Sequence, residues 1–382
     1  MMIDPYFNEN DILLRNTIRD FVNRELLTNA SRYDLNEEFP SDVISKISEM
    51  GLFKLGIDEN YGGIEGSNLH LAIVTEELAR GCASTAVIYA SHLSLCTKYI
   101  DLFGNHKQKA SYLPNLVNAS TLGALALTEP DAGSDVASMK TLVTNTDGGF
   151  LINGSKHFIT NAKEAGIIIV VASRDTNLGS KSLETFILET PCEGLAITSQ
   201  KGKLGIRASS TCELNFNNVF IPSDNRIGET GRGFHMTMQV LDIGRILIAA
   251  QSVGIAQMAL DASLQYSKQR KAFGNSISEF QSIQNMLANM ATEIEAARLL
   301  TYRSAVLADC NQPFETEASM AKLFASKVAV ESANQAVQIH GGAGYFAPNV
   351  AERLYRDAKV TEIYEGTSEI QRILIAKSLL NR

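Results

Sequence analysis

The sequence predicts an α+β protein with an N-terminal helical domain, a middle β domain and a C-terminal four-helix bundle. Three observations lead to this fold class. Residues 1–120 carry apolar residues at helical spacing, residues 121–228 change to short β-rich runs, and residues 229–382 return to helical spacing. No internal repeat or low-complexity linker separates the three zones, so we expect them to pack on one another.

The first zone is predicted to be helical throughout. Apolar residues recur at three- and four-residue steps over 12–22 and again over 43–50, and Gly51 then provides a helix stop. The same spacing continues over 69–99. These segments predict several packed helices before the chain changes character.

The middle zone has the signature of a small antiparallel barrel. Asp147-Gly148-Gly149 and Asn153-Gly154 are turn sequences between apolar runs. Residues 167–171, 185–188 and 211–221 are rich in β-branched and aromatic side chains and are broken by Gly, Asn, Asp and Pro.

The third zone predicts a helical bundle. Ile283, Leu287, Met290 and Ile294 place apolar side chains on one face of a helix. Four segments share this pattern, namely 234–270, 281–310, 316–339 and 350–381.

Composition excludes several classes of protein. The chain is 45% hydrophobic and 20% charged, as expected of a globular protein, and its net charge of −8 argues against a nucleic-acid partner. Five dispersed cysteines without a C-x-x-C pair indicate reduced thiols inside a cell, and six histidines without ligand spacing give no metal site.

Targeting and membrane segments are not predicted. Residues 1–10 have no basic start and no apolar stretch, so we expect no secretory or transit leader. The longest apolar runs, 167–172 and 246–250, are far shorter than a membrane span.

A carboxylate near the end of the chain is the strongest candidate for chemistry. Residues 363–369 read Ile-Tyr-Glu-Gly-Thr-Ser-Glu, between helical patterns that end near Lys359 and start near Thr367. In such a turn Glu365 can point into a cleft, where burial raises the pKa of a carboxyl towards that of a useful base. The alternative is an ordinary helix-capping glutamate.

Four further motifs have both a structural and a functional interpretation. Residues 128–135 and 154–162 can form ordinary turns and a hairpin, or can hold the edge of a flat cofactor with backbone N–H groups, hydroxyls and Phe158. Arg270 and Lys271 can be solvated cations at a helix end, or can bind a pyrophosphate. The glycines of 338–345 can turn a corner or let the backbone approach a ligand.

The order of these motifs resembles the acyl-CoA dehydrogenase family over essentially the full length. Thr-Glu-Pro-Asp-Ala-Gly-Ser-Asp is followed by Phe-Ile-Thr-Asn and later by Tyr-Glu-Gly-Thr. The matching stretches are 127–135, 154–162, 203–210, 241–250, 270–281, 338–345 and 356–372. The resemblance implies domains at 1–120, 121–228 and 229–382, non-covalent FAD and a homotetramer built as a dimer of dimers.

The resemblance also implies roles for individual residues. Glu365 matches the catalytic base, and the matching substrate contacts are Ser134, Asp242, Arg245 and Gly366. The matching contacts to the flavin ring are Leu127, Thr128, Gly133, Ser134, Phe158 and Thr160. Other matching FAD contacts are Thr367 and Glu369 and, toward a neighbouring subunit's FAD, Arg270, Phe273, Gln281, Gln338, Gly341 and Gly342.

The implied reaction removes a proton from Cα and a hydride from Cβ of an acyl-CoA, with an electron-transfer flavoprotein as the acceptor. The short-chain, butyryl-type members are most similar around Leu241. One branch of the family places its base at the position of Gly244, where glycine cannot serve, so Glu365 is expected to be the base. The implied location is the cytoplasm, or the mitochondrial matrix for a mature eukaryotic form.

Two departures from the family's pattern and two alternative functions stay open. Many relatives carry tryptophan at Phe158, and residues 346–350 read Phe-Ala-Pro-Asn-Val where an acidic residue and proline are usual. Phenylalanine still stacks on a ring but offers no N–H group. The alternatives are an oxidase or monooxygenase partner with this fold, and a non-catalytic paralogue.

Overall fold

The computed structural model describes residues 7–380. Residues 1–6, which make up most of the segment that predicts no leader, and residues 381–382 lie outside the described part. The α+β fold class is confirmed, with helical regions on either side of a sheet. The domain limits near residues 120 and 228 stay a prediction.

The N-terminal region is helical, as predicted. Its helices are α1 (Glu9–Phe21), α2 (Ala30–Leu35), α3 (Ser41–Glu49), α4 (Asn68–Gly81), α5 (Ala83–Ala90), α6 (Lys98–Phe103) and α7 (His106–Val117). Gly51 ends the α3 region with a φ of 75°, a conformation that costs glycine little. Residues 91–97 form a π-helix between α5 and α6, an irregularity that is frequent at functional sites.

The middle region is a mixed sheet rather than a purely antiparallel one. Its strands are β1 (Leu122–Ala126), β2 (Leu142–Thr146), β3 (Gly149–Thr160), β4 (Ala165–Ser173), β5 (Leu183–Glu189), β6 (Leu195–Ser199), β7 (Thr211–Pro222) and β8 (Arg226–Ile227). The order is β6-β7-β3-β2-β4-β5-β8, and β1 pairs with β4 in parallel. A short hairpin follows later in the chain, made of β9 (Lys271–Ala272) and β10 (Asn275–Ser276).

One of the two predicted turns in this region is wrong. Gly148 forms the turn between β2 and β3, as expected. Asn153-Gly154 instead lies inside β3, where the pairing with β7 shifts register between Ile152 and Gly154. Gly154 has a φ of 141°, so the glycine serves a β-bulge rather than a hairpin.

The C-terminal region packs α8 (Gly233–Gln269), α9 (Gln281–Asp309), α10 (Glu315–His340), α11 (Val350–Ala358) and α12 (Ser368–Leu380). The predicted fourth segment is therefore two helices, and Glu365 lies in the break between them. Helix α8 packs against α9, α10 and α4, so it joins the bundle to the N-terminal helices.

Helix α8 forms the core of this assembly. By length and composition it alone, within residues 7–380, could cross a membrane, but 83% of its most apolar stretch is buried inside the protein. Ala249, Val253 and Ala256 are all buried in the bundle core. Its apolar character is accounted for by this packing.

Candidate active site

A cleft of about 200 Å³ opens where the sheet meets the helices on either side of it. One wall comes from the sheet region and the other from α8 and the turn before α12, and α5 and the π-helix also contribute to the lining. The sheet wall contains Leu125, Leu127, Thr128, Gly133, Ser134, Phe158 and Thr160. The helical wall contains Leu241, Gly244, Arg245, Ile248, Tyr364, Glu365 and Gly366.

Glu365 is held in a strained turn at this cleft. Its φ is 55° and that of Gly366 is 90°, so two consecutive residues adopt the left-handed conformation. A non-glycine residue rarely adopts it without support from its surroundings. The turn directs the side chain inward, and Oε2 is inaccessible to solvent without a hydrogen-bond partner. The capping alternative is thus not what the structure shows.

The surroundings of Glu365 raise the pKa of its carboxyl towards neutral pH. Burial raises the pKa of its carboxyl to about 7, while the charges of Arg245 and Lys322 act in the opposite direction. A base of this pKa exchanges protons readily near physiological pH.

Gly244 makes room for this carboxylate. A Cβ atom at position 244 would lie 2.8 Å from Glu365 Oε2 and 3.1 Å from its Cδ. A side chain at position 244 would therefore compete for the space that the carboxylate of Glu365 occupies.

The opposite wall exposes Phe158. The pairing of β3 with β7 shifts between Lys156 and Ile159, and Phe158 has a φ of 60°. The shift turns the ring out of the sheet, leaving it 63% exposed at the cleft. A large apolar ring on an open cleft wall is suited to a flat apolar ligand.

A buried ion pair supports this wall from behind. Lys156 Nζ lies 2.9 Å from Glu129 Oε1 and donates a second hydrogen bond of 2.8 Å to the carbonyl of Leu127. Glu129 also accepts the N–H of Thr141 at 2.9 Å. Burial lowers the pKa of Lys156 to about 8, and Lys156 holds the pKa of Glu129 below its usual value against the opposing effect of burial.

Of the four predicted substrate contacts, three line the cleft and one does not. Ser134, Arg245 and Gly366 contribute to its walls. Asp242 instead lies on α8 beside Arg245 and accepts a hydrogen bond from Arg245 Nη1. Burial raises the pKa of Asp242 to about 6 although Arg245 opposes this shift. The role of Asp242 toward substrate stays a prediction.

The predicted cofactor contacts divide into three places. The six residues matched to the flavin ring lie at the cleft. Thr367 and Glu369 line a second cavity of about 700 Å³ between α10 and α12. The remaining residues are exposed and lie outside both cavities, namely Arg270, Phe273, Gln281, Gln338, Gly341 and Gly342.

The exposed residues lie on neighbouring parts of the bundle. Tyr266, near the end of α8, stacks on His340 with ring centroids 4.3 Å apart, so the segments that follow α8 and α10 meet. Phe273 is 96% exposed at the tip of the β9–β10 hairpin. Side chains of this kind, outside the chain's own cleft, are free to reach a ligand in another molecule.

Sequence reasoning missed two residues at the Glu365 turn. Lys322 on α10 and Gln371 on α12 are fully buried, and both donate hydrogen bonds to the turn. Lys322 could have been noticed because Ala318, Ala321 and Ala325 surround it on the buried face of α10. Gln371 gives no comparable signal.

The fold and the cleft agree with three family models that together span most of the chain. The N-terminal domain of acyl-CoA dehydrogenases matches residues 8–120, the middle domain residues 124–219 and the C-terminal domain residues 231–380. The chain belongs to the acyl-CoA dehydrogenase family.

Individual relatives are similar over nearly their whole length. The mitochondrial short-chain specific acyl-CoA dehydrogenase of Rattus norvegicus is 44% identical over 97% of this chain and 90% of its own. The structure of butyryl-CoA dehydrogenase from Megasphaera elsdenii superposes with a TM-score of 0.96, at 38% identity and 100% coverage of both chains. A chain solved for the electron transferring flavoprotein of Acidaminococcus fermentans has a TM-score of 0.97, at 39% identity and 100% coverage of both.

The residues at the cleft fit FAD, the cofactor of this family. Phe158 offers an exposed apolar ring, and a Cβ at Gly133 would meet no atom within 4 Å, so the loop leaves open space beside it. Leu127, Thr128 and Thr160 complete an apolar wall with hydroxyl groups at its edge. Such a wall can accept one face of a flavin ring.

Proposed function

We propose that this protein is an FAD-dependent acyl-CoA dehydrogenase in which Glu365 removes the α-proton of a saturated acyl-CoA. The product is the trans-2-enoyl-CoA. One observation carries the proposal: Glu365, whose Oε2 is buried without a hydrogen-bond partner, lines a cleft whose other wall presents Phe158 and Thr160. Substrate between these walls has a base on one side and the cofactor wall on the other. No observation favours the oxidase or the non-catalytic alternative.

The role of each residue follows from its chemistry. Glu365, with its pKa raised to about 7, takes the proton from Cα. Bound FAD would supply the acceptor for the hydride that leaves Cβ. Within residues 7–380 no acceptor takes the backbone N–H of Glu365, so this donor is available to polarise the thioester carbonyl. Gly244 leaves the carboxylate space, and Arg245 provides a positive charge beside it.

We propose a short acyl chain as the preferred substrate. Val87, Ala90, Ser94 and Leu95 line part of the cleft, whose volume is about 200 Å³. A lining of this kind limits the room for an acyl chain, so each further methylene is expected to fit less well. A methylene is worth about 0.8 kcal/mol, so we expect a graded preference.

We further propose that electrons pass to an electron-transfer flavoprotein and that the protein is a homotetramer. The similarity to a chain solved for an electron transferring flavoprotein supports the first point. Six predicted cofactor residues that lie exposed and away from the cleft support the second, because they can complete the site of a neighbouring subunit. A cytoplasmic or mitochondrial matrix location stays a prediction.

The proposal is tested by mixing the purified holoenzyme anaerobically with acyl-CoAs of increasing length. We expect butyryl-CoA to remove the visible absorbance of the flavin fastest, with rates falling as the chain lengthens. Acetyl-CoA is the matched control because it carries the same CoA but has no Cβ. Loss of absorbance with acetyl-CoA, or none with any saturated acyl-CoA, would contradict the proposal, and peroxide formation in air without an acceptor would indicate an oxidase.

A further inference from the structure

The turn that carries Glu365 needs support from outside its own sequence. Glu365 and Gly366 both have positive φ, and a glutamate does not hold this conformation by itself. A small change in the turn would move the carboxylate relative to Cα of the substrate. The residues that hold the turn therefore bear on the reaction.

Two buried side chains donate hydrogen bonds to the carbonyl groups of this turn. Lys322 Nζ donates a hydrogen bond of 2.7 Å to the carbonyl of Gly366. Gln371 Nε2 donates to the carbonyl of Glu365 at 3.1 Å and to that of Gly366 at 2.9 Å. Both side chains have no exposed surface. Gln371 Nε2 would lie 2.7 Å from a Cβ at position 366, so the glycine lets the amide approach.

Lys322 also brings a positive charge close to the base. Burial lowers the pKa of Lys322 to about 8, with Glu365 the largest of the influences that oppose this shift. The other charged groups that act on Lys322 are Arg245, Glu362 and Glu369. Toward Glu365 itself, Arg245 and Lys322 are the two charges that favour the ionised carboxylate. A neighbouring cation of this kind lowers the pKa of a carboxyl by one unit or more.

We propose that Lys322 and Gln371 are positioning residues for the base. Together they fix the left-handed turn through its two carbonyl groups, and the hydrogen bond from Lys322 to the carbonyl of Gly366 places a positive charge next to the base. The proposal rests on the proposed function, because positioning matters only if Glu365 accepts the proton. A purely structural tie between α10 and α12 would affect stability but would leave the titration of Glu365 where it is.

Three substitutions separate the two contributions. Lys322→Met removes both the hydrogen bond and the charge, whereas Lys322→Gln removes the charge but keeps an N–H donor. Gln371→Met removes the amide at similar volume and leaves the charge of Lys322 in place. Lys46→Met is the control, because its ammonium lies on the surface in an ion pair with Glu25.

Infrared difference spectra of the substrate-free holoenzyme measure the titration of the Glu365 carboxyl, whose band is identified by its loss in Glu365→Gln. We expect Lys322→Met and Lys322→Gln to raise this pKa by about one unit, and Lys46→Met to leave it unchanged. An unchanged pKa in both Lys322 variants would overturn the electrostatic part. The measurement does not depend on turnover, so it stands even if no acyl-CoA is oxidised.

The positioning part is tested by crystal structures and by kinetics. We expect Gln371→Met to show Glu365 outside the left-handed region or in two conformers, with kcat lowered about tenfold and KM little changed. An unaltered turn in the Gln371→Met structure would overturn this part, whatever the activity. A turn that moves without any change in the kcat of an active enzyme would also overturn it.

Discussion

Two carboxylates lie on opposite sides of the cleft, and they differ in how they are paired: Glu129 is buried, and Glu365 is partly buried. Glu129 accepts hydrogen bonds from Lys156 and from the N–H of Thr141, so its charge is fully matched. Glu365 has one oxygen that is buried without any partner. The first carboxyl has its pKa held below the usual value, and the second has its pKa raised to about 7.

This difference distinguishes a carboxylate that stabilises the structure from one that can take part in a reaction. A buried carboxylate that accepts hydrogen bonds from matched donors is a poor base. These donors stabilise its ionised form and lower its pKa. A buried carboxylate without partners destabilises the fold but is ready to accept a proton from a ligand. Glu129 on the sheet side thus stabilises the cleft wall, whereas Glu365 on the helical side is available to accept a proton.

The largest expected effect is on the reaction itself. Glu365→Gln keeps the shape of the side chain but removes the base, so the rate of flavin reduction by butyryl-CoA should fall about 10³- to 10⁴-fold. Anaerobic stopped-flow absorbance measures this rate. The variant should retain FAD and bind acyl-CoA as the wild type does, and equal rates of reduction would reject Glu365 as the base.

Removing the paired carboxylate of Glu129 is expected to lower the stability of the protein rather than the rate of the reaction. Glu129→Gln leaves the ammonium of Lys156 buried without its counter-ion, which should lower the free energy of unfolding by about 3 kcal/mol. Urea denaturation measures the loss. The double variant Glu129→Gln, Lys156→Met should recover part of it, and a single variant as stable as the wild type would show that the pair does not support the wall.

A smaller effect is expected from the space beside the base. Gly244→Ala places a methyl group 2.8 Å from the original position of Oε2, so the carboxylate must move. We expect kcat to fall about tenfold with KM nearly unchanged, because an atom displaced by less than an ångström lowers the rate moderately. Steady-state kinetics with butyryl-CoA measures the two constants. A rate equal to that of the wild type would mean that the turn adapts without cost.

A further effect is expected on folding, because the unpaired charge of Glu365 is costly to bury. Burial raises the pKa of Glu365 from an ordinary 4.5 to about 7, so ionisation weakens the folded state as pH rises through this interval. Glu365→Gln has no charge to bury and should be more stable than wild type near pH 8, by on the order of 2 kcal/mol. The difference should close below about pH 4.5. Thermal unfolding across this range measures it, and a difference that grows toward acid pH would have the wrong sign.

Much of the fold could be predicted from local sequence. The spacing of apolar residues gave the helical zones, and Gly148 marked a true turn. Asn153-Gly154 has the same kind of sequence but lies in a bulge of β3, because the pairing with β7 continues across it. Local sequence cannot tell these cases apart, since a distant strand decides between them.

Only part of the candidate site could be predicted, because local sequence does not show contacts with distant segments. The motif around Glu365 indicated a carboxylate in a turn, and the two flavin-facing motifs indicated a ligand wall. Lys322 was missed because its partner, the carbonyl of Gly366, lies 44 residues away in the chain. The structure places Asp242 in a hydrogen bond with Arg245, and its role toward substrate stays a prediction.

The sequence by itself determined the order of helical and β zones, the family and the residue types available for chemistry, because spacing and motifs are local properties of the chain. Only the tertiary structure decided which charged groups have hydrogen-bond partners and which has an oxygen without one. The pKa of a carboxyl depends on groups that meet in space, and folding brings those groups together from distant parts of the chain.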